Sequence, residues 1–390
     1  MIYLDNAATT RLDPSVFEAM LPYLSEEYGN PGSLHTMGRT AAKAVETARA
    51  QVAEFLHCSP EQIIFTSGGT EANAMVFEGL KDRLRADGKT HIITSEIEHT
   101  SVLRAAEALI KDGFDVTFLR PDSHGVITAE DIFKAITPKT GLVSIMYENN
   151  EIGSINPVGE IAIECWRHGA LFHTDCVQAA AGRVINAKDI GCDFLSVSSH
   201  KLHGPKGMGV LFVKNKNLLS PILRGGDSQE YGLRGGTENV PGIVGTGAAC
   251  SIMGKRFRDD SVTSSTMKQV YYLRLMGGLE DYGYESCIKV NGPSVMQPGK
   301  ILSLTIHGVD GQTLLLLLAS RGVCVSAGSA CRGGENSPSP VLTSIGVGEE
   351  DARCTIRVSF SRMNAEHDVI LAADCTAKCI AALLEAGRET

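Results

Sequence analysis

The sequence predicts an α/β protein, with a large domain on a mostly parallel sheet and a smaller α/β unit beside it. Three observations carry this expectation. Short apolar segments alternate with helical ones up to about residue 255. Polar clusters able to do chemistry follow several of those apolar segments, where ligands of parallel sheets bind. Beyond residue 255 the texture changes and further short apolar segments suggest a second unit. The boundaries expected are 13–255 for the large domain, with 1–12 and 256–390 forming the small one.

Ile2 to Leu4 is a short extended segment leading into a polar turn. A helix is expected to begin near Asp13-Pro14, with Asp13 as N-cap and Pro14 in the first helical position. A longer helix, rich in Ala, Glu and Arg, follows from about Arg39 to Leu56. Ile63–Phe65 is a strand running into Ser67-Gly68-Gly69-Thr70-Glu71 and an Ala-rich helix. His91–Ser95 is a strand, Ser101–Lys111 a helix and Val116–Leu119 a strand. Leu142–Tyr147 ends at Glu148-Asn149-Asn150, Leu171–Thr174 at Asp175, and Phe194–Val197 at Ser198-Ser199-His200-Lys201. Gly209–Val213 closes the series. Strands alternating with helices imply a parallel sheet covered on both faces. Leu302–Ile306, Leu314–Ser320, Cys324–Ser326 and Thr355–Ser359 mark the smaller unit, and His367 to Ala386 reads as a last helix.

Apolar residues make up 43% of the chain, enough for a substantial core. The net charge of −9 comes from interspersed acids and bases, with no basic stripe for nucleic acid or anionic membrane. No apolar run approaches the length of a membrane span, and the N-terminus is unlike a secretory signal. The 11 cysteines match neither a disulfide framework nor a C-x-x-C metal site, so no metal is expected and the compartment expected is the cytoplasm.

Several constellations carry candidate chemistry, each with a plainer reading beside it. Ser67-Gly68-Gly69-Thr70 is either a phosphate cradle at a helix start or an ordinary βα turn. Asp175 can hold a protonated pyridine nitrogen, or simply cap a helix. Lys201 in its Gly/Pro-rich loop is a Schiff-base candidate or a surface lysine, with Ser198 and His200 as phosphate donors on the same turn. His99 can stack on a ring and shuttle protons, or be a satisfied loop histidine. Cys331, in a stretch of small and polar residues with Arg332 beside it, is either an exposed thiol with a task or an incidental exposed cysteine. Arg357 is a carboxylate clamp or a salt-bridge partner.

The order of these motifs is more specific than any one of them. Tyr3-Leu-Asp-Asn-Ala-Ala-Thr-Thr, Gly29-Asn-Pro-Gly-Ser-Leu-His35, Thr66-Ser-Gly-Gly-Thr-Glu-Ala-Asn73, Glu98-His99 and Asn149-Asn-Glu-Ile-Gly153 come first. His173-Thr-Asp-Cys-Val-Gln178, Ser198-Ser-His-Lys201, Gly235-Gly-Thr-Glu-Asn239 and Ser326-Ala-Gly-Ser-Ala-Cys331 follow. Together, from residue 3 to about 362, they resemble the cysteine desulfurases, fold-type I pyridoxal-phosphate (PLP) enzymes of the class-V aminotransferase group.

That resemblance implies a PLP cofactor and an L-cysteine substrate. Lys201 looks like the Schiff-base lysine, and Asp175 like the partner of the pyridine nitrogen. Gln178 and Asn150 look like partners of the PLP hydroxyl, and Gly69, Thr70, Ser198 and His200 like the phosphate site. Thr237 resembles a residue that reaches the phosphate from the other subunit of a homodimer. His99 looks like the stacking acid/base, Arg357 with Asn30 and Asn150 like the substrate site, and Cys331 like the persulfide carrier. Persulfide formation needs a thiolate, so activity is expected to rise with pH through the Cys331 pKa. The expected sulfur acceptor is a protein, either an iron–sulfur scaffold or a tRNA-thiolation factor. Two stretches depart from the family pattern. Gly225-Gly226-Asp227-Ser228-Gln229-Glu230 stands where the family usually has Gly-Gly-Gly-Gln/His-Glu. Arg332-Gly333-Gly334 stands where many relatives carry small hydroxyl residues. Rival readings are a selenocysteine lyase, a cysteine sulfinate desulfinase, another class-V enzyme, or a non-catalytic sulfur-transfer scaffold. The long cysteine-bearing loop favours cysteine, and the intact Lys201, Asp175, His99 and Cys331 set favours catalysis.

Overall fold

The computed structural model describes residues 1–226, 229–327 and 338–388. Seven strands form the large sheet: β2 (Ile63–Thr66), β3 (His91–Ser95), β4 (Asp115–Leu119), β5 (Thr140–Ser144), β6 (Leu171–Asp175), β7 (Phe194–Ser198) and β8 (Gly209–Val213). Their order is β2-β8-β7-β6-β5-β3-β4. Only β8 runs against its neighbours, so β2 is again parallel to β7. The carboxyl ends of β2, β3, β5, β6 and β7 therefore share one edge.

Adjacent strand residues point to opposite faces, and the core divides accordingly. Ile64, Ile92, Leu142, Phe194 and Leu211 pack under α3 (Gly69–Ala86) and α4 (Thr100–Lys111). Ile63, Phe65, Ile93, Val143, Leu195 and Val210 face the other way. There they meet α2 (Thr36–Phe55), α6 (Val158–Arg167) and the first half of α8 (Val240–Glu280), with α5 (Ala129–Ala135) and the short α7 (Ala187–Ile190) alongside. α1 (Pro14–Ser25) begins as its sequence signals, with Asp13 accepting from the Ser15 amide and Pro14 in the first turn. α8 lies close on α2: a Cβ on Gly247 would sit 2.7 Å from the Ala48 Cα.

The second core holds a four-stranded antiparallel sheet, β12-β13-β10-β9, from β9 (Ile288–Asn291), β10 (Ile301–Ile306), β12 (Ser326–Ala327) and β13 (Thr355–Ser359). β1 (Ile2–Tyr3) pairs in parallel with β11 (Val323–Cys324), and Leu4 is buried in this core. α9 (Gly311–Ser320) and α12 (Glu366–Arg388) cover it, and the short α10 (Pro340–Ser344) and α11 (Glu349–Arg353) complete the chain. α8 has 41 residues and runs unbroken through residue 255. Val240 to Met253 pack in the first core, Met267 to Leu279 in the second.

Several boundaries differ from the sequence reading. β5 stops at Ser144, although the amides of Ile145 and Tyr147 still bond to His173 and Asp175. α2 starts at Thr36 because the His35 imidazole caps it, accepting from the Gly38 amide at 3.3 Å. The expected strand Cys324–Ser326 is two short ones in different sheets.

Candidate active site

The shared strand edge opens into a cavity of about 270 Å³. Its wall includes Gly69, Thr70, His99, Asn150, Asp175, Gln178, Ser198, His200, Lys201 and Arg357, which the sequence singled out. It also includes Ala7, Ala8, Asn73, Ser101 and Glu148, which it did not. Asn30 and Thr237 are exposed and lie outside this wall, and Cys331 lies outside the described residues.

β2 delivers the chain to the first turn of α3, so Gly69 and Thr70 present free amides at a helix N-terminus. Gly69 is needed there: a Cβ would meet Val177 at 2.8 Å. Across from it, β7 ends at the buried Ser198. His200 bonds Thr9 Oγ1 through Nδ1 at 3.0 Å. Burial, then Lys201 and Lys206, push the His200 pKa down to about 4. The ring is therefore neutral near pH 7, and its second nitrogen is free to donate to an anion. The Lys201 ammonium reaches back to the Ala7 and Ala8 carbonyls, the latter at 2.6 Å.

Asp175 is buried at the end of β6. Its Oδ1 accepts from the Val177 amide at 2.9 Å and its Oδ2 from Asn73 Nδ2 at 2.8 Å. No helix starts at this residue, so its capping role is limited to that one turn. Gln178 donates to the Ala7 carbonyl at 2.8 Å, while its Oε1 is buried with no hydrogen-bond partner among the described residues. His99 caps α4, its Nδ1 accepting from the Ser101 amide at 3.1 Å and pairing with Ser101 Oγ at 2.7 Å. Surrounding protein lowers the His99 pKa; Asp175 opposes that shift and Lys201 adds to it.

Arg357 enters from β13 in the second core and is 4% exposed. Nη2 pairs with Asp5 Oδ1 at 2.8 Å and Nη1 donates to the Asn150 carbonyl at 2.9 Å. Its Nε is buried with no hydrogen-bond partner among the described residues. Behind His99, Glu98 is fully enclosed, and burial raises its pKa to about 8. Its Oε1 accepts from Ser95 Oγ at 2.6 Å and the Met146 amide at 3.0 Å.

The donor set fits PLP. Helix amides, a hydroxyl and a neutral imidazole suit a phosphate, a buried carboxylate suits a ring nitrogen, and an amine stands beside them. The orphaned Gln178 Oε1 is a feature a bound group would use. Among the described residues no group of acids, histidines and cysteines could hold a metal.

The family "Aminotransferase class-V" matches residues 2–371. The chain is 41% identical to "Cysteine desulfurase IscS" of Clostridium botulinum, covering 94% of this chain and 91% of that protein. It is 39% identical to the protein of the same name in Methanosarcina thermophila, over 94% and 89%. A solved structure titled "NIFS-LIKE PROTEIN" superposes with a TM-score of 0.88 at 34% identity, over 97% of this chain and 98% of that one. "SspA in complex with cysteine" superposes at 0.81, again 34% identical, over 94% and 100%.

Proposed function

The chain belongs to the class-V aminotransferase family, and from that membership we propose that it converts L-cysteine to L-alanine as a cysteine desulfurase, keeping the sulfur as a persulfide on Cys331. The observation that carries this reading is the convergence of Lys201, Asp175, His99 and Arg357 on one cavity from distant parts of the chain. Relatives named cysteine desulfurase along nearly the full length support it.

PLP, when bound, supplies an electron sink for charge developing at the substrate Cα. The Gly69 and Thr70 amides, Ser198 and His200 hold its phosphate. Asp175 would hold the ring nitrogen, Gln178 and Asn150 the hydroxyl, and Lys201 would anchor the group. Arg357 binds the substrate carboxylate, with Asn150 and Asn30 near it, and so orients the Cα–H bond toward Lys201, which takes that proton. The Cys331 thiolate attacks the substrate sulfur. An S–S bond forms as the S–Cβ bond breaks, and the electron pair left on carbon is protonated, with His99 as the acid, to give alanine. No external oxidant or reductant is needed.

The active form in this reading is a homodimer in which Thr237 reaches the partner's phosphate site. Thr237 is exposed on its own chain, and Phe17, Leu21 and Leu24 form an exposed apolar stripe on α1. In this reading the small domain (1–12 and 256–390) brings Arg357 to the edge of the large one (13–255). The cytoplasm is the proposed compartment: the ten cysteines among the described residues are free thiols. No helix of the described residues is long and apolar enough to cross a membrane. The sulfur passes to a protein acceptor, either an iron–sulfur scaffold or a tRNA-thiolation factor. Mass spectrometry of the cysteine-treated, alkylated protein tests the assignment. One added sulfur atom on the Cys331 peptide supports it; the same sulfur found only on other cysteines overturns it.

A further inference from the structure

α3 lies over β6 in a definite register. Asn73 and Phe77, one turn apart, cover Asp175 and His173, which share a face of the strand; Phe77 and His173 meet edge to face at 6.3 Å. Asn73 is completely buried. Its Nδ2 lies 2.8 Å from Asp175 Oδ2 and 2.8 Å from Ser101 Oγ. A carboxylate oxygen only accepts, so the amide nitrogen must be the atom facing it. The two hydrogens of that one NH₂ go to Asp175 and Ser101. Ser101 Oγ, having accepted, turns its own hydrogen toward His99 Nδ1 at 2.7 Å. The Ser101 amide donates to the same nitrogen at 3.1 Å and cannot turn away.

Every donor in the chain thus points one way, from Asn73 to Ser101 to His99. We propose that Asn73 is a positioning residue: by aligning the Ser101 hydroxyl it holds His99 in the neutral form, with its proton on Nε2 as the Ser101 amide requires, and with the same amide group it orients Asp175. The proposal deepens the desulfurase reading and rests on it for the roles of His99 and Asp175. Protonating His99 on Nδ1 would break the bond from the Ser101 amide and force the Ser101 hydroxyl to reverse, so the imidazolium is disfavoured by geometry as well as by burial. The charged and titratable groups around it are Asp175 on β6, Lys201 and His200 after β7, Arg357 on β13, Glu148 after β5, and the adjoining Glu98. Of these Asp175 favours the cation at His99, and Asn73 already engages one of its oxygens. His99 then enters the reaction as an Nε2–H donor, re-protonated from solvent after each turnover.

The test is nitrogen NMR of ¹⁵N-histidine-labelled full-length protein without added cofactor, with His99 assigned by H99Q. The proposal expects an unprotonated Nδ1, a protonated Nε2 and a pKa below the ordinary value of about 6.5. In N73A and in S101A the Ser101 amide alone holds Nδ1, so Nε2 keeps its proton while the pKa climbs toward that value, and S101T, which keeps the hydroxyl, restores the parent pattern. A purely structural Asn73 would lower the melting temperature and leave the His99 pKa alone. If N73A does not fold, S101A and S101T read the same relay. A proton on Nδ1 in the parent protein, or a His99 pKa unmoved in S101A, overturns the proposal whatever the enzyme's activity. A desulfurase indifferent to H99Q overturns the role of His99 while leaving the tautomer result intact.

Discussion

At the scale of single residues, chemistry depends on what each group is denied. His200 is denied a charge by burial and two lysines, so it can serve an anion only as a neutral donor. Arg357 is denied water, and two of its three nitrogens are already engaged by Asp5 and Asn150. A substrate carboxylate would add the contact its Nε lacks. Removing the guanidinium in R357A should raise KM for L-cysteine about 10- to 100-fold, the value of one or two charge-assisted hydrogen bonds. An unchanged KM in steady-state kinetics would place the substrate carboxylate elsewhere. K201A should fold normally yet lose the visible absorbance that PLP shows when joined to the protein; a retained band would mean another lysine anchors it. His200 and Lys201 were legible in the sequence because each follows an apolar strand and is a reactive type, and Arg357 because it is a lone cation inside one. Asn73, Ser101 and Asp5 were not marked, although all lie inside quoted motifs or next to them. Their work is done through hydrogen bonds to other side chains, and spacing along a chain does not reveal such partners.

At the scale of elements, the loops around the site are held by buried acids. Arg49 on α2 meets Glu230 in a two-point pair at 2.8 and 3.0 Å, and Glu230 also accepts from the Phe65 amide at 2.7 Å. Glu230 has φ of +42°, a left-handed conformation that this anchoring offsets. It ends the stretch that departs from the family pattern, of which Asp227 and Ser228 lie outside the described residues. E230A would leave Arg49 buried with only the exposed Glu46 as an acid partner, so it should cost about 3–5 kcal/mol of stability by chemical denaturation. A loss under 1 kcal/mol would show the pair to be dispensable. Glu98 gives a second test. Its folded pKa, near 8, lies above the ordinary value of about 4.3, so the folded state holds the proton more tightly. That stabilisation is complete below about pH 4.3 and is lost as pH rises through 8. E98Q keeps an acceptor for Ser95 and Met146 and should melt less steeply lower as pH is raised over this range. An identical pH dependence in both proteins would show Glu98 ionising freely. Helix starts at Asp13 and strands such as Gly209–Val213 were legible from capping residues and apolar runs. The starts of α2 and α4 were displaced because imidazoles cap them, a task that falls more often to Ser, Thr, Asp or Asn.

At the scale of the whole molecule, the cavity lies on a seam. Lys201, Asp175 and His99 come from the large sheet, whereas Arg357 comes from the second core. The seam is tied by Arg362, which pairs with Asp13 and lies 3.2 Å from Asp260, and by Lys300, whose ammonium donates to the Gln178 carbonyl at 2.6 Å. α8 joins both cores as one rod of roughly 60 Å. That rod was not legible: its glycines and serines mask the helical period, and only its packing on α1, α2 and α12 reveals it. The alternation of strands and helices was legible because a two-faced parallel sheet demands it. The central claim is that this assembly moves sulfur from cysteine to Cys331. The measurement that reaches it most directly is a paired assay of sulfide and alanine from L-cysteine and a reductant, on PLP-loaded protein and on C331S. The account predicts equal yields of both products from the parent and neither from C331S, which still binds the cofactor. Full sulfide release by C331S, or alanine formed without sulfide, would contradict it.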